Sequence, residues 1–166
     1  MELLSYAPAV AELADVLRAR GWRMATAESC TGGLVAAACT AMAGSSDWFE
    51  RGFVTYSNEA KAEMLGVDAA LIARVGAVSE EVARAMVVGA LARSPADVAV
   101  AVTGIAGPGG AVPGKPVGTV WLAWGTAQGV HAERLQLEGD RDAVRGATVA
   151  AALQRVLLCA QKQARA

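Results

Sequence analysis

Apolar positions recur along the chain with two periods, and the alternation between them lays out the elements. Between residues 7 and 20, Val10, Leu13, Ala14 and Leu17 fall at helical spacing, and Gly21 supplies a left-handed stop. Trp22-Arg23-Met24-Ala25-Thr26 reads as a short buried strand, and Leu34 to Cys39 as the body of an alanine-rich helix. Gly44-Ser45-Ser46-Asp47 breaks that helix, and the aromatic and β-branched run from Gly52 to Ser57 predicts a second strand. Asn58 is placed as the N-cap of a short helix over Glu59 to Leu65, followed by a turn or two over Ala69 to Arg74. Ser79, with Glu80 and Glu81 behind it, starts a helix whose stripe is Val82, Met86 and Leu91 and which stops near Ser94-Pro95.

The almost continuously apolar stretch from Asp97 to Thr103 predicts a central strand covered on both faces. A glycine-rich turn from Gly104 to Gly110 separates it from a strand over Val117 to Gly125. That interval leaves no room for a crossover helix, so the two strands run antiparallel. Thr126 to Gly129 turns the chain into a hairpin strand over Val130 to Leu137, and Asp140 caps a long last helix carrying Val144, Val149, Leu153, Val156 and Leu157. The expected fold is therefore α/β: a single domain over residues 1–166, a three-layer α/β/α sandwich around a five-stranded mixed sheet with its fourth strand antiparallel.

Composition narrows the function classes. A chain of 166 residues that is 54% hydrophobic has enough apolar side chain for one core, which Ala, Val and Leu must build because aromatics are only 5%. Fifteen basic and sixteen acidic residues leave a net charge of -1, which gives no general attraction to nucleic acid or an anionic membrane, so any anion binding is local. The odd set Cys30, Cys39 and Cys159, with the single His131, lacks metal-ligand spacing. No metal and no cofactor are expected, and free cysteines fit a cytoplasmic location. The N-terminus lacks the pattern of a cleaved leader, and no apolar run reaches the roughly 20 residues of a membrane helix.

Three turns are expected to meet beyond the carboxyl ends of the first three strands, where open α/β sheets bind ligands. The first, Ala27-Glu28-Ser29-Cys30-Thr31-Gly32-Gly33, exposes Ser29 and sets Cys30, Thr31, Gly32 and Gly33 at a helix start, where backbone N–H groups favour an oxyanion or phosphate. The second holds Tyr56, Ser57, Asn58 and Lys61. The third runs from Thr103 through Gly104, Gly107, Gly109 and Gly110, without the Gly-Lys-Ser/Thr of a Walker loop. Arg141 and Arg145, four apart on the last helix, either grip a phosphate or carboxylate or form a solvated face.

Ser29 needs a base. His131 lies in the hairpin with no carboxylate placed to orient it, which disfavours a Ser-His-Asp triad and leaves Lys61, an effective base once burial depresses its pKa. Taken without further context, Ser29 as a helix cap and Lys61 as a solvated lysine is the simpler reading. Cys30 is the other nucleophile to weigh, though apolar neighbours favour a packed, inert thiol. Glu28 and Asp47 are the nearest carboxylates; either can serve as a turn or cap acceptor, and neither receives a catalytic role.

Ala-Glu-Ser-Cys-Thr-Gly-Gly at 27–33, Gly-Ser-Ser at 44–46, Tyr-Ser-Asn-x-x-Lys at 56–61, Gly-Ala-Val-Ser at 76–79, Thr-Gly-Ile-Ala-Gly-Pro at 103–108, Lys-Pro-Val-Gly at 115–118 and Gly-Asp-Arg-x-x-Val-Arg at 139–145 occur in that order. In this the chain resembles the CinA C-terminal domain family, the nicotinamide mononucleotide amidohydrolases, over nearly its whole length. The resemblance implies hydrolysis of the carboxamide of nicotinamide mononucleotide to nicotinic acid mononucleotide and ammonia, without metal, and makes the serine/lysine pair the preferred reading. It implies Ser29 as nucleophile, Lys61 as base, and Tyr56, Ser46 and Asn58 as supporting residues. The loop from Thr103, with Arg141 and Arg145, is the candidate phosphate site, although Gly109 to Gly114 departs from the Thr-Gly-Gly-Ser pattern of the family. A homodimer is expected, as is a small nucleotide substrate. The alternatives are a nucleotide-binding regulatory module without turnover and an amidase for another small amide.

Overall fold

A computed structural model describes residues 2–163. Its elements, in chain order, are α1 (Ala7–Arg20), β1 (Met24–Glu28), α2 (Leu34–Thr40), β2 (Phe49–Val54), α3 (Asn58–Leu65), α4 (Ala69–Val75), α5 (Glu80–Ala92), β3 (Val98–Gly104), β4 (Thr119–Thr126), β5 (Gly129–Gln136) and α6 (Arg141–Gln163). The sheet order is β2-β1-β3-β4-β5. β1 pairs in parallel with both β2 and β3, and β4 is antiparallel to both of its neighbours. This is the expected five-stranded mixed sheet with its fourth strand reversed.

The strand pleat sorts the core into two layers. In β3, Val98, Val100 and Val102 face a cluster built from α1, α2 and α6, including Leu13, Leu17, Val149, Leu153 and Val156. Ala99 and Ala101 face the other way, onto Val82, Met86, Val87 and Ala90 of α5. Trp121 and Trp124, of opposite parity in β4, pack against the second and first clusters respectively. By length and composition alone α6 is apolar enough to cross a bilayer, contrary to the expectation from the sequence. Its stripe of Val144, Val149, Ala152, Leu153, Val156 and Ala160 is instead consumed in the core. Close packing on the α5 face is set by Gly89: a Cβ there would lie 2.0 Å from the Leu65 carbonyl oxygen of α3.

Several boundaries differ from the expectation. β1 starts at Met24 because Trp22 closes α1: its N–H donates to the Leu17 carbonyl at 2.9 Å, and the Arg20 guanidinium lies 3.7 Å over its ring. β2 ends at Val54, opposite Glu28, and the chain then folds away from the sheet. Ser57 rather than Asn58 caps α3, its hydroxyl accepting from Ala60 N–H at 3.0 Å. Ser79 caps α5 as expected. The consequence for function is that β1, β2 and β3 deliver their carboxyl ends, at Glu28, Val54 and Gly104, to one edge of the sheet.

Candidate active site

At that edge β1 runs directly into Ser29, whose N–H donates to the Val102 carbonyl of β3 at 3.0 Å, so that the serine continues the sheet ladder for one more residue. Gly32 and Gly33, at φ +58° and +105°, then turn the chain into α2, a conformation that a β-carbon would strain. Ser29 is buried, at 8% exposure, rather than exposed as the turn suggested, and it lines a cleft of about 280 Å³. Cys30, Tyr56, Asn58, Lys61, Thr103, Gly104, Gly107, Gly109 and Arg141, all anticipated from the sequence, line the same cleft.

Lys61 is placed by a helix of only two turns. Capping by Ser57 starts α3, and Lys61, four residues on, projects back beneath the β2 end with 1% exposure. Its Nζ lies 2.9 Å from Ser29 Oγ, 2.9 Å from the Thr55 carbonyl oxygen and 3.1 Å from that of Tyr56. Among the described residues no carboxylate pairs with it. Burial holds its pKa below the usual 10.5. The Ser29 hydroxyl in turn donates to the Tyr56 carbonyl at 3.4 Å. Lys61 is therefore a buried, desolvated amine rather than the solvated helix residue of the simpler sequence reading.

Cys30 is packed, with its thiol pushed up to about 11 by burial, which leaves it protonated and unreactive at neutral pH. Cys30 lines the cleft, and its backbone N–H has no acceptor among the described residues. Thr31, Gly32 and Gly33 do not line the cleft. The α2 start that they were expected to offer to an anion is already filled: the Glu28 carboxylate accepts from Val35 N–H at 2.8 Å, Ala36 N–H at 3.0 Å and the Thr31 hydroxyl at 2.5 Å. Glu28 is thus the cap acceptor that the sequence allowed, although its partners Thr31, Val35 and Ala36 are set only once strand and helix are packed.

Ser46 lies elsewhere. It is exposed in a 3-10 turn, Ser45–Asp47, which precedes β2, so the length of that strand separates it from the Tyr56 turn. Arg145 also stands behind the cleft rather than in it: its Nε donates to the Cys30 carbonyl at 3.2 Å and its Nη2 to that of Thr31 at 3.3 Å. Arg141 is the arginine that reaches the cleft, donating to the Gly107 carbonyl at 2.9 Å and the Tyr56 hydroxyl at 3.3 Å. It thereby joins the second and third turns at the mouth. The wall opposite comes from Ala77 and Val78, with Thr103 Oγ1 donating to the Ala77 carbonyl at 3.0 Å. These two residues sit in the Gly-Ala-Val-Ser motif, yet nothing in that string of small side chains announced a wall. Asp and Glu are absent from the lining, which carries the basic side chains Lys61 and Arg141.

Comparison with known proteins places this arrangement. The family model of the CinA C-terminal domain matches residues 7–160. A nicotinamide-nucleotide amidohydrolase PncC of Pseudomonas putida is 57% identical over 145 residues, 87% of this chain and 91% of that protein. The protein of the same name from Escherichia coli K12 is 56% identical over 144 residues, 86% of this chain and 87% of its own. Among solved structures, a CinA superfamily protein from Klebsiella pneumoniae 700603 superposes with a TM-score of 0.90 at 40% identity, covering 93% of this chain and 97% of the other. A competence/damage inducible protein from Agrobacterium tumefaciens gives 0.84 at 47% identity, covering 91% and 95%.

Proposed function

Because the chain belongs to the CinA C-terminal domain family, we propose that it is an amidohydrolase that converts nicotinamide mononucleotide to nicotinic acid mononucleotide and ammonia, with Ser29 as nucleophile and Lys61 as base. The observation that carries the mechanism is the 2.9 Å approach of a buried lysine amine, free of any carboxylate, to a serine hydroxyl at the end of a strand.

The steps follow from these groups. Neutral Lys61 removes the Ser29 proton as Oγ attacks the carboxamide carbon. The oxyanion of the tetrahedral intermediate takes the Cys30 N–H, a donor of a kind that contributes about 2.7–4 kcal/mol. The lysine ammonium then gives its proton to the departing nitrogen, and ammonia leaves an ester on Ser29. Water, deprotonated by the same amine, hydrolyses that ester to the carboxylate and restores the serine. Tyr56, Asn58 and the loop from Thr103 surround the nucleotide, and Arg141 faces its phosphate from the cleft mouth.

Purified protein is incubated with nicotinamide mononucleotide, and ammonia and nicotinic acid mononucleotide are quantified together, with Ser29→Ala as control. Stoichiometric products lost in the variant are the expected result. Thermal stabilisation by the nucleotide without product would assign a binding module instead, and turnover of free nicotinamide at an equal kcat/KM would assign an amidase indifferent to the ribose phosphate.

A further inference from the structure

We propose that Glu28 is the positioning residue of the serine/lysine pair, its side chain fixing the turn that carries the nucleophile and its backbone carbonyl supporting the segment that orients the base. This rests on the reading of Ser29 as nucleophile and Lys61 as base. Glu28 is 1% exposed at the end of β1, immediately before Ser29. Three donors hold its carboxylate: the Thr31 hydroxyl at 2.5 Å and the Val35 and Ala36 amides at 2.8 and 3.0 Å.

An ordinary helix cap comes from the residue at the helix start. Here that residue is Gly33, which has no side chain to offer, and the cap is supplied from the strand instead, across the turn that contains the nucleophile. Strand end and helix start are thereby tied together on both sides of Ser29, which fixes the direction of its Oγ. The main chain of the same residue serves the base: the Glu28 carbonyl accepts from Thr55 N–H at 2.8 Å, and the Thr55 carbonyl is one of the two acceptors that orient Lys61 Nζ. Side chain and backbone of Glu28 thus converge on the 2.9 Å contact between nucleophile and base.

The substitutions that separate positioning from mere stability are Glu28→Gln, Glu28→Ala, Thr31→Ser and Thr31→Val. A glutamine oxygen retains two of the three bonds, but its amide nitrogen faces the Ala36 donor. Two rates are measured per folded molecule: kcat and KM with nicotinamide mononucleotide, and the rate of Ser29 phosphonylation by a fluorophosphonate, which needs no nucleotide. Expected are kcat losses of roughly ten-fold in Glu28→Gln and Thr31→Val and roughly a hundred-fold in Glu28→Ala, with KM within about two-fold and Thr31→Ser near wild type. Labelling should fall in the same order. A merely structural carboxylate would lower the melting temperature and leave both rates per folded molecule unchanged, which overturns the proposal; so does a wild-type Ser29 that the probe does not label. Should Glu28→Ala fail to fold, Glu28→Gln and Thr31→Val decide. Labelling that obeys this order in a protein that does not turn over the nucleotide keeps the role of Glu28 and removes the assigned substrate.

Discussion

Two turns flank the cleft and are built in opposite ways. The turn after β1 is buried from Ala27 to Thr31, bonded at Ser29 to the sheet, clamped at Glu28 to α2 and braced by Arg145 from behind. The loop after β3 is exposed from Pro108 to Gly114, and its long return to β4 is held at scattered points, among them the Val112 and Lys115 bridge, Lys115 Nζ on the Val75 carbonyl at 2.8 Å, Arg134 Nη2 on the Gly114 carbonyl at 3.1 Å, Gln136 Nε2 on the Val117 carbonyl at 2.9 Å and Arg141 on Gly107. Groups that exchange protons must be fixed to fractions of an ångström, whereas a loop that surrounds a nucleotide has to admit and release it. On the proposed function, the nucleophile sits in the tied turn and nucleotide recognition in the loose one.

The largest effects should come from the proposed reacting pair, Ser29 in the tied turn and Lys61 on α3. Ser29→Ala and Lys61→Met each remove a reacting group and should lower kcat by roughly 10²–10⁴-fold or more while substrate still protects the fold in a thermal melt. Retention of activity within ten-fold in either variant would break the assignment. On the recognition side, Arg141→Met should raise KM for the nucleotide by roughly 10–100-fold, the worth of a charge-assisted contact, with kcat changed only a few-fold. Steady-state kinetics on the nucleotide check that division, and a loss confined to kcat would move Arg141 into the chemistry.

Smaller effects test the loop itself. Gly107→Ala places a Cβ 2.5 Å from Val117 Cγ1 at φ +83° and should cost about 1–3 kcal/mol of stability by denaturant titration. Gly109→Ala meets nothing within 4 Å at an ordinary φ and should change stability by less than about 0.5 kcal/mol and KM by less than about two-fold. A large penalty at Gly109 would mean that the loop is as constrained as its counterpart. The smallest effect concerns pH. Lys61 binds a proton less readily folded than unfolded, so stability rises with pH across the window between its lowered folded pKa and its ordinary 10.5. Lys61→Met should therefore melt above wild type at pH 7, with the gap narrowing as pH rises through that window.

Why the sequence revealed one part and hid another follows from what each residue depends on. The sheet was legible because Val98 to Val102 is apolar on both faces and because the Gly104 to Pro116 interval is too short and too glycine-rich to hold a crossover helix. Convergence of Ser29, Lys61 and Thr103 was legible because three parallel strands must deliver their ends to one edge. Strand limits were less so: Trp22 has strand-like composition but is taken by the α1 stop, and Asn58 competes with Ser57 for one cap. Local motif membership misplaced Ser46 because a shared short string carries no information about which end of a strand it lies at. Arg145 was left between a phosphate grip and a solvated face because it acts on backbone groups, and backbone partners are assigned by packing rather than by side-chain type; Glu28 is the turn or cap acceptor that the sequence allowed.

The dependence of kcat/KM on pH tests the central claim, that a neutral Lys61 activates Ser29. Wild-type activity on nicotinamide mononucleotide should climb with unit slope and level off at an apparent pKa below 10.5, and Lys61→Met should lose the activity together with that limb. A wild-type profile flat from neutral to alkaline pH, or a Lys61→Met enzyme that keeps the rising limb, would contradict it.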